Sequence, residues 1–202
     1  MLSTESLLSI TFTASLARYG GDLAVGAMTI ITSVSQLVTL PLQGVCQGGQ
    51  PIISYNYGAG HGDRVKKTFF LVFSVCMTYT VLFWAAVLLF PSVFAGIFTT
   101  NAELSGYTSW ALRVYMAGIF ACGAQCSCQQ SFMALGQAKV SLLLACLRKI
   151  VLLIPLILIL PHVLPFDPVF SVFLAEPVSD IAAAVITTIT FLTRFNRILE
   201  MR

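Results

Sequence analysis

Residues 44–60, GVCQGGQPIISYNYGAG, decide the fold, because they close a long apolar segment with residues that weaken a helix. That segment begins at residue 23, so it is about 35 residues long and would reach about 52 Å as a straight helix. The hydrocarbon core of a bilayer is only about 30 Å thick. Pro41 and Pro51 each remove a helical hydrogen bond, and the glycines between them weaken the turns. We therefore predict a bent transmembrane helix whose second half extends past the membrane face.

The same stretch is rich in Gln, Asn and Gly, where a helix surrounded by lipid would carry leucine. Backbone that departs from a regular helix is tolerated inside a membrane only beside other protein or a watery cavity. Interrupted helices of this kind are the best pointer in a sequence to a transport site. We therefore interpret the chain as part of a polytopic membrane transporter.

The composition makes the lipid bilayer the main partner of the chain. Hydrophobic residues make up 57% of the 202 residues and charged residues 9%, whereas an ordinary soluble domain is about 25% charged. The net charge of +3 is small, and the basic residues stand in short polar stretches between apolar runs, which argues against a nucleic-acid partner. The sequence contains neither HExxH nor GxSxG, so we predict no enzyme activity. The six cysteines all lie in apolar runs, which predicts no metal site and no cofactor beyond a coupling ion.

The apolar runs predict an all-α membrane protein that forms a single transmembrane domain over residues 1–202. A spanning helix needs about 20 mostly apolar residues. Six segments meet this requirement approximately: 1–18, 23–57, 65–90, 107–133, 139–160 and 168–195. Basic residues concentrate in the stretches that face inward if both termini are cytoplasmic, so we predict that orientation in the cell membrane.

The sixth segment contains two carboxylates, and ionisable residues inside a membrane indicate function because their burial is costly. Glu176 and Asp180 are four residues apart, so they share a helix face with Cβ atoms about 5–6 Å apart. Pro177 cannot donate to the carbonyl of Phe173, which leaves an oxygen acceptor nearby. Two like charges this close disfavour the state in which both are ionised. We therefore predict that Glu176 and Asp180 couple transport to a small cation or a shared proton.

Arg148 is the predicted charge partner of Asp180. Arg148 lies about 13.5 Å from the inner start of the fifth segment, and Asp180 lies about 18 Å from the outer start of the sixth. Antiparallel neighbours would therefore bring the two residues to matching depth in a core about 30 Å thick. Two interpretations stay open: the pair is a structural brace between helices, or it takes a direct part in coupling.

A row of glutamines supplies the candidate substrate contacts, and Glu5 is a further candidate cation ligand. The spacing of seven, four and three residues puts Gln36, Gln43, Gln47 and Gln50 on one side of the second segment. They either line a cavity that binds substrate or brace the bend through interhelical hydrogen bonds. Glu5 lies in the first apolar run, either as a buried ligand or as a helix-end residue in contact with water.

Several motifs in order resemble the multidrug and toxic compound extrusion (MATE) family over nearly the whole chain. PLQGVCQGGQPIISYNYGAG followed by DRVKK resembles the end of the family's eighth helix and the next loop. MALGQAKVSLLLACLRKIVLLIPLILILP resembles the region between the tenth and eleventh helices, and AEPVSDIAAAVIT resembles the twelfth. The resemblance implies export of organic cations and amphipathic drugs in exchange for Na⁺ or H⁺, through a cavity between two six-helix lobes.

The resemblance also implies which parts of such an exporter this chain provides. Some members bind the coupling cation with acidic residues on the seventh and tenth helices; Glu5 matches the former, and segment 107–133 has no acidic residue. The chain resembles the second lobe alone, which implies a truncated or split product whose partner is a missing first lobe or a second copy. The alternatives are a lipid or polysaccharide flippase of the same superfamily, and a non-transporting membrane fragment or assembly partner.

Overall fold

The computed structural model describes the backbone of residues 2–200 and the side chains of residues 7–195, 198 and 199. Helices account for nearly all of this backbone, and the described residues form no strand. The prediction of an all-α fold is therefore confirmed. The α-helices are α1 Leu2–Gly58, α2 Gly62–Leu89, α3 Pro91–Phe98, α4 Ala102–Tyr115, α5 Cys122–Ala134, α6 Ala138–Cys146, α7 Ile154–Val163 and α8 Pro168–Glu200.

Helix α1 consists of two limbs that meet at Gly21. The backbone of Gly21 has φ 63° and ψ −159°, which is not helical. This combination is essentially restricted to glycine, because a Cβ would collide with the backbone. The first two predicted segments therefore correspond to the two helical limbs of α1, which the non-helical backbone of Gly21 separates within the Gly-Gly-Asp sequence.

The predicted segment 107–133 is divided in the structure. Helix α4 ends at Tyr115, residues Met116–Ala121 wind as a tighter 3₁₀-helix, and α5 follows. A change of winding frees carbonyl groups from the α-helical pattern. Helix α2 supplies partners for them, since Trp84 Nε1 donates to the carbonyl of Ala117 at 3.1 Å and the Thr80 hydroxyl lies 3.2 Å from the carbonyl of Phe120.

Four helical stretches of the described residues are long and apolar enough to cross a membrane: Leu7–Gly58, Gly62–Leu89, Ala138–Val163 and Pro168–Phe195. Their outward faces carry large apolar side chains, such as Leu71, Leu82 and Leu143, which are each at least 65% exposed. Such a surface is unfavourable in water and favourable in lipid. The chain is a multi-pass membrane protein.

The interior is an apolar core that holds the helices together. Its larger part lies between α1, α2, α4, α7 and α8. Near the turn between α1 and α2, aromatic rings close the bundle, with the Phe191 centroid 4.6 Å from that of Phe69 and 4.9 Å from that of Phe132. This packing fixes α8 against α2 and α5, and α8 carries the acidic residues of the candidate site.

Candidate functional site

A cluster of three charged side chains joins α8 to the π-helical segment between α6 and α7. This segment, Leu147–Leu153, contains Arg148. Arg148 Nε donates to Oδ1 of Asp180 at 2.8 Å, and Nη2 forms an ion pair with the same oxygen. Arg148 Nη2 also lies 3.4 Å from Oε1 of Glu176. The structure thus brings together Arg148, Asp180 and Glu176, three of the residues singled out in the sequence.

The two carboxylates differ in how many of their oxygen atoms have a hydrogen-bonding or ion-pair partner. Both oxygens of Asp180 have partners, because Cys122 Sγ lies 3.5 Å from Oδ2 as a donor. Glu176 Oε1 faces Arg148, whereas Glu176 Oε2 is buried without a hydrogen-bond partner. An unpartnered oxygen of a buried carboxylate is costly, so binding a proton or a cation there would be favourable.

The three charged side chains also differ in how much of their surface is exposed. The Asp180 side chain is 4% exposed, that of Glu176 13% and that of Arg148 23%. The phenol of Tyr115 and the charge of Lys149 also lie near Glu176, but neither forms a hydrogen bond with Oε2. The arrangement pairs Asp180 closely with Arg148 and leaves one oxygen of Glu176 available to bind a proton or a cation.

Local backbone geometry positions the three side chains. The Ser179 hydroxyl donates to the carbonyl of Arg148 at 3.1 Å, which ties α8 to the π-helical segment. On the other side of α8, a Cβ added to Gly118 would lie 2.7 Å from Cα of Pro177, so the two backbones are in direct contact. Insertions of π-helix are frequent at functional sites because they redirect side chains and free carbonyl groups.

The remaining candidates lie apart from this cluster. Gln36, Gln43 and Gln47 are exposed on α1, and Gln50 is half-buried. Glu5 belongs to the first limb of α1, and its side chain lies outside the described residues.

Cys122 and Tyr115 are site residues that sequence reasoning missed. Both flank the 3₁₀-helix, and they contact Asp180 and Glu176 respectively. The sequence shows a phenol and a thiol in segment 107–133, but nothing in it distinguishes these two groups from the other polar groups of that segment. Their role depends on the close approach of Gly118 to Pro177, which no local pattern predicts.

Several known proteins are similar to this chain. A model of the MatE family matches residues 1–159, which include Arg148 and stop before Glu176. The multidrug export protein MepA of Staphylococcus aureus (strain NCTC 8325 / PS 47) is 28% identical over 178 residues, and the helix motifs resemble its subgroup. The alignment covers 85% of this chain and 38% of MepA. MepA of Staphylococcus saprophyticus is 27% identical over 175 residues, with the same coverage.

Solved structures show the same arrangement of helices. The outward-facing conformation of a multidrug resistance MATE family transporter of the MOP superfamily superposes with a TM-score of 0.88 at 17% identity, over 98% of this chain and 44% of the transporter. The inward-facing conformation gives a TM-score of 0.89 at 16% identity, over 98% and 45%. The chain therefore spans less than half the length of the proteins that it matches.

Proposed function

The chain belongs to the MATE family, and from this membership we propose that it forms part of a secondary antiporter that exports organic cations and amphipathic drugs in exchange for Na⁺ or H⁺. The relatives are named multidrug export proteins, and the chain corresponds to 38% of MepA. We propose that it supplies the second six-helix lobe, with both termini cytoplasmic. A first lobe or a second copy would then complete the substrate cavity.

The buried, unpartnered Oε2 of Glu176 carries the coupling part of the proposal. Arg148 lies closer to Asp180 than to Glu176, so its charge interacts more strongly with Asp180. Glu176 is thus the group that binds the coupling cation. With H⁺ as the coupling ion, the proton neutralises Glu176; with Na⁺, carboxylate oxygens and the carbonyl that Pro177 leaves free supply hard ligands.

The exposed glutamine side of α1 carries the substrate part of the proposal. Gln36, Gln43 and Gln47 point away from the apolar core of this chain, where they cannot brace the bend from within. Amide groups on a membrane helix are favourable beside water or another polar surface, and unfavourable in lipid. We propose that this side of α1 faces the cavity and that the amide oxygens accept hydrogen bonds from cationic substrates.

Transport of ethidium, a fluorescent organic cation, tests the proposal. The purified chain is reconstituted in liposomes, alone or together with the N-terminal half of MepA, and a proton or sodium gradient is imposed. Export by the chain alone would indicate that two copies form the cavity, and export only with the added half would indicate a separate first lobe. No export in either arrangement under either gradient would contradict the proposal.

Variants separate coupling from assembly in the same assay. Glu176→Gln removes the charge but keeps the size of the side chain, so we expect gradient-driven export to be lost while ethidium still binds. Glu103→Gln, at an exposed position at the start of α4, is the matched control and should leave export unchanged. Full coupled export by Glu176→Gln would contradict the assignment of Glu176.

A further inference from the structure

Three thiols from three different helices meet between α1, α2 and α5. Cys46 Sγ of α1 lies 3.6 Å from Cys76 Sγ of α2, and the Cys126 thiol of α5 is an adjacent neighbour of Cys46. Cys46 is 2% exposed and Cys76 1%, whereas Cys126 is partly exposed. Cys126 lies close enough to Arg148 of the charge cluster to interact with it electrostatically, whereas within the described part of the chain Cys46 and Cys76 interact in this way only with other thiols. The thiols have no part in the proposed export.

We propose that Cys46 and Cys76 form a redox-active pair that an uncharged, membrane-permeant two-electron oxidant converts to a disulfide. A disulfide has an S–S distance of about 2.03–2.05 Å, so closing the pair requires the sulfur atoms to approach by only about 1.5 Å. Each thiol gives up one hydrogen atom, the S–S bond forms, and the oxidant takes up both hydrogen atoms. Quinones and azo compounds are oxidants of this class.

The helix geometry keeps the two thiols facing each other. Cys46 and Cys76 stand at similar distances before and after the turn at Gly58–Gly62, so they occupy the same level of the α1–α2 hairpin. A second contact confirms this register, because Gly49 of α1 lies against Val72 of α2. Neither thiol needs a change of helix register to reach the other.

Cys126 provides the route by which the oxidant enters. As the partly exposed thiol it meets the oxidant first, and its sulfur and hydrogen add across the N=N bond of an azo compound. Cys46 then attacks the Cys126 sulfur, the S–N bond breaks, and the hydrazine leaves with the hydrogen of Cys46, which forms a Cys46–Cys126 disulfide. Exchange with Cys76, the nearer neighbour of Cys46, releases Cys126 as a thiol. Charged oxidants are excluded because the pair is buried in the apolar core of a membrane protein.

The three thiols do not form a metal centre. Among the described residues, no group of three cysteine, histidine or acidic side chains has an arrangement that could hold a metal ion. Cys128, two residues after Cys126, packs instead in the separate cluster that contains Phe69 and Phe132. The disulfide would attach the second limb of α1 to α2.

Counting free thiols in the purified full-length chain tests the inference. The chain in detergent is treated with diamide, an uncharged azo oxidant, and is then denatured and labelled with polyethylene glycol maleimide. Each labelled thiol slows the migration of the chain in gel electrophoresis by one step. All six cysteines should label before oxidation and two fewer afterwards, and dithiothreitol should restore all six. Peptide mass mapping should then identify the Cys46–Cys76 link. Six labelled thiols after diamide, or a link between two chains, would overturn the inference.

Single substitutions distinguish this pair from general oxidation. Cys46→Ser should keep all five remaining thiols free after diamide, because it removes the shared partner. Cys128→Ser is the control and should still lose two thiols at the wild-type rate. Cys126→Ser should form the same link more slowly. Loss of two thiols in Cys46→Ser, or an unchanged rate in Cys126→Ser, would contradict the pair and the entry route respectively. Thiol labelling does not require transport, so it tests the cysteine pair independently of the proposed export.

Discussion

The hydroxyl of Tyr79 donates a hydrogen bond to the carbonyl of Leu37 at 2.9 Å. This carbonyl lies one turn before Pro41, which has no N–H with which to donate to it. A side chain of α2 thus replaces the missing backbone donor of α1. The proline that weakens α1 is therefore accommodated by its neighbour in the bundle, where no water is needed.

Tyr79→Phe should destabilise the chain by about 1 kcal/mol, because the carbonyl of Leu37 loses its partner in an apolar environment. In a Pro41→Ala background the residue at 41 donates its own N–H, so the same change should have a much smaller effect. Thermal unfolding of the purified chain in detergent measures both. Tyr55→Phe, at a position 77% exposed, is the control and should be close to neutral. Equal costs in the two backgrounds would contradict the role of Tyr79 as the replacement donor for Pro41.

Alanine substitutions of two neighbouring glycines of α1 should have different effects on stability. A Cβ on Gly49 would lie 2.6 Å from Cγ2 of Val72, whereas a Cβ on Gly48 would meet nothing within 4 Å. Gly49→Ala should therefore cost about 1–3 kcal/mol through overpacking, and Gly48→Ala should be neutral or stabilising. Both are measured as shifts in the unfolding midpoint.

Val72→Ala should rescue Gly49→Ala, because it removes Cγ2 and the Cβ of Val72 would be 3.8 Å away. The double variant should have a higher unfolding midpoint than Gly49→Ala alone. Additive destabilisation by the two changes would show that the contact between α1 and α2 is not the cause.

The charge cluster should show an unequal response to the loss of each member. Arg148→Gln leaves two carboxylates together, so it should be the most destabilising change, by about 3–5 kcal/mol. Asp180→Asn should cost less, because Arg148 keeps Glu176 as a partner at 3.4 Å. The double variant Arg148→Gln/Asp180→Asn should be more stable than Arg148→Gln alone, since it leaves one carboxylate instead of two.

Unfolding midpoints of these three variants, with Arg64→Gln at an exposed position as the control, provide the comparison. A double variant as unstable as the sum of the single changes would show that the pair is not coupled.

Gly21→Ala should destabilise α1 by about 1–3 kcal/mol, because its backbone has φ 63° and ψ −159°. Gly106→Ala is the matched control: Gly106 lies within α4 and an added Cβ would meet nothing within 4 Å. The control should be neutral or slightly stabilising. An equal response of the two variants in thermal unfolding would mean that Gly21 does not hold the bend.

The comparison of sequence and structure separates two kinds of inference. Charge and hydropathy along the chain place Arg148 and Asp180 at matching depths, and the structure shows them in contact. The cysteines show the opposite case. Their spacing in sequence groups Cys122, Cys126 and Cys128, whereas the structure brings Cys126 to Cys46 and Cys122 to Asp180. Residues close in sequence on one helix point in different directions, so proximity in sequence does not predict a cluster.

The sequence by itself determined that the chain is helical, that it lies in a membrane, and that residues 20–22 separate its first two helical segments, because hydropathy and the special backbone of glycine act locally. Only the tertiary structure decided that Tyr79 satisfies the carbonyl opposite Pro41 and that one oxygen of Glu176 has no partner. It also decided that three thiols meet between α1, α2 and α5. Those features depend on how helices rotate and approach one another, and packing between segments 30 or more residues apart sets that rotation.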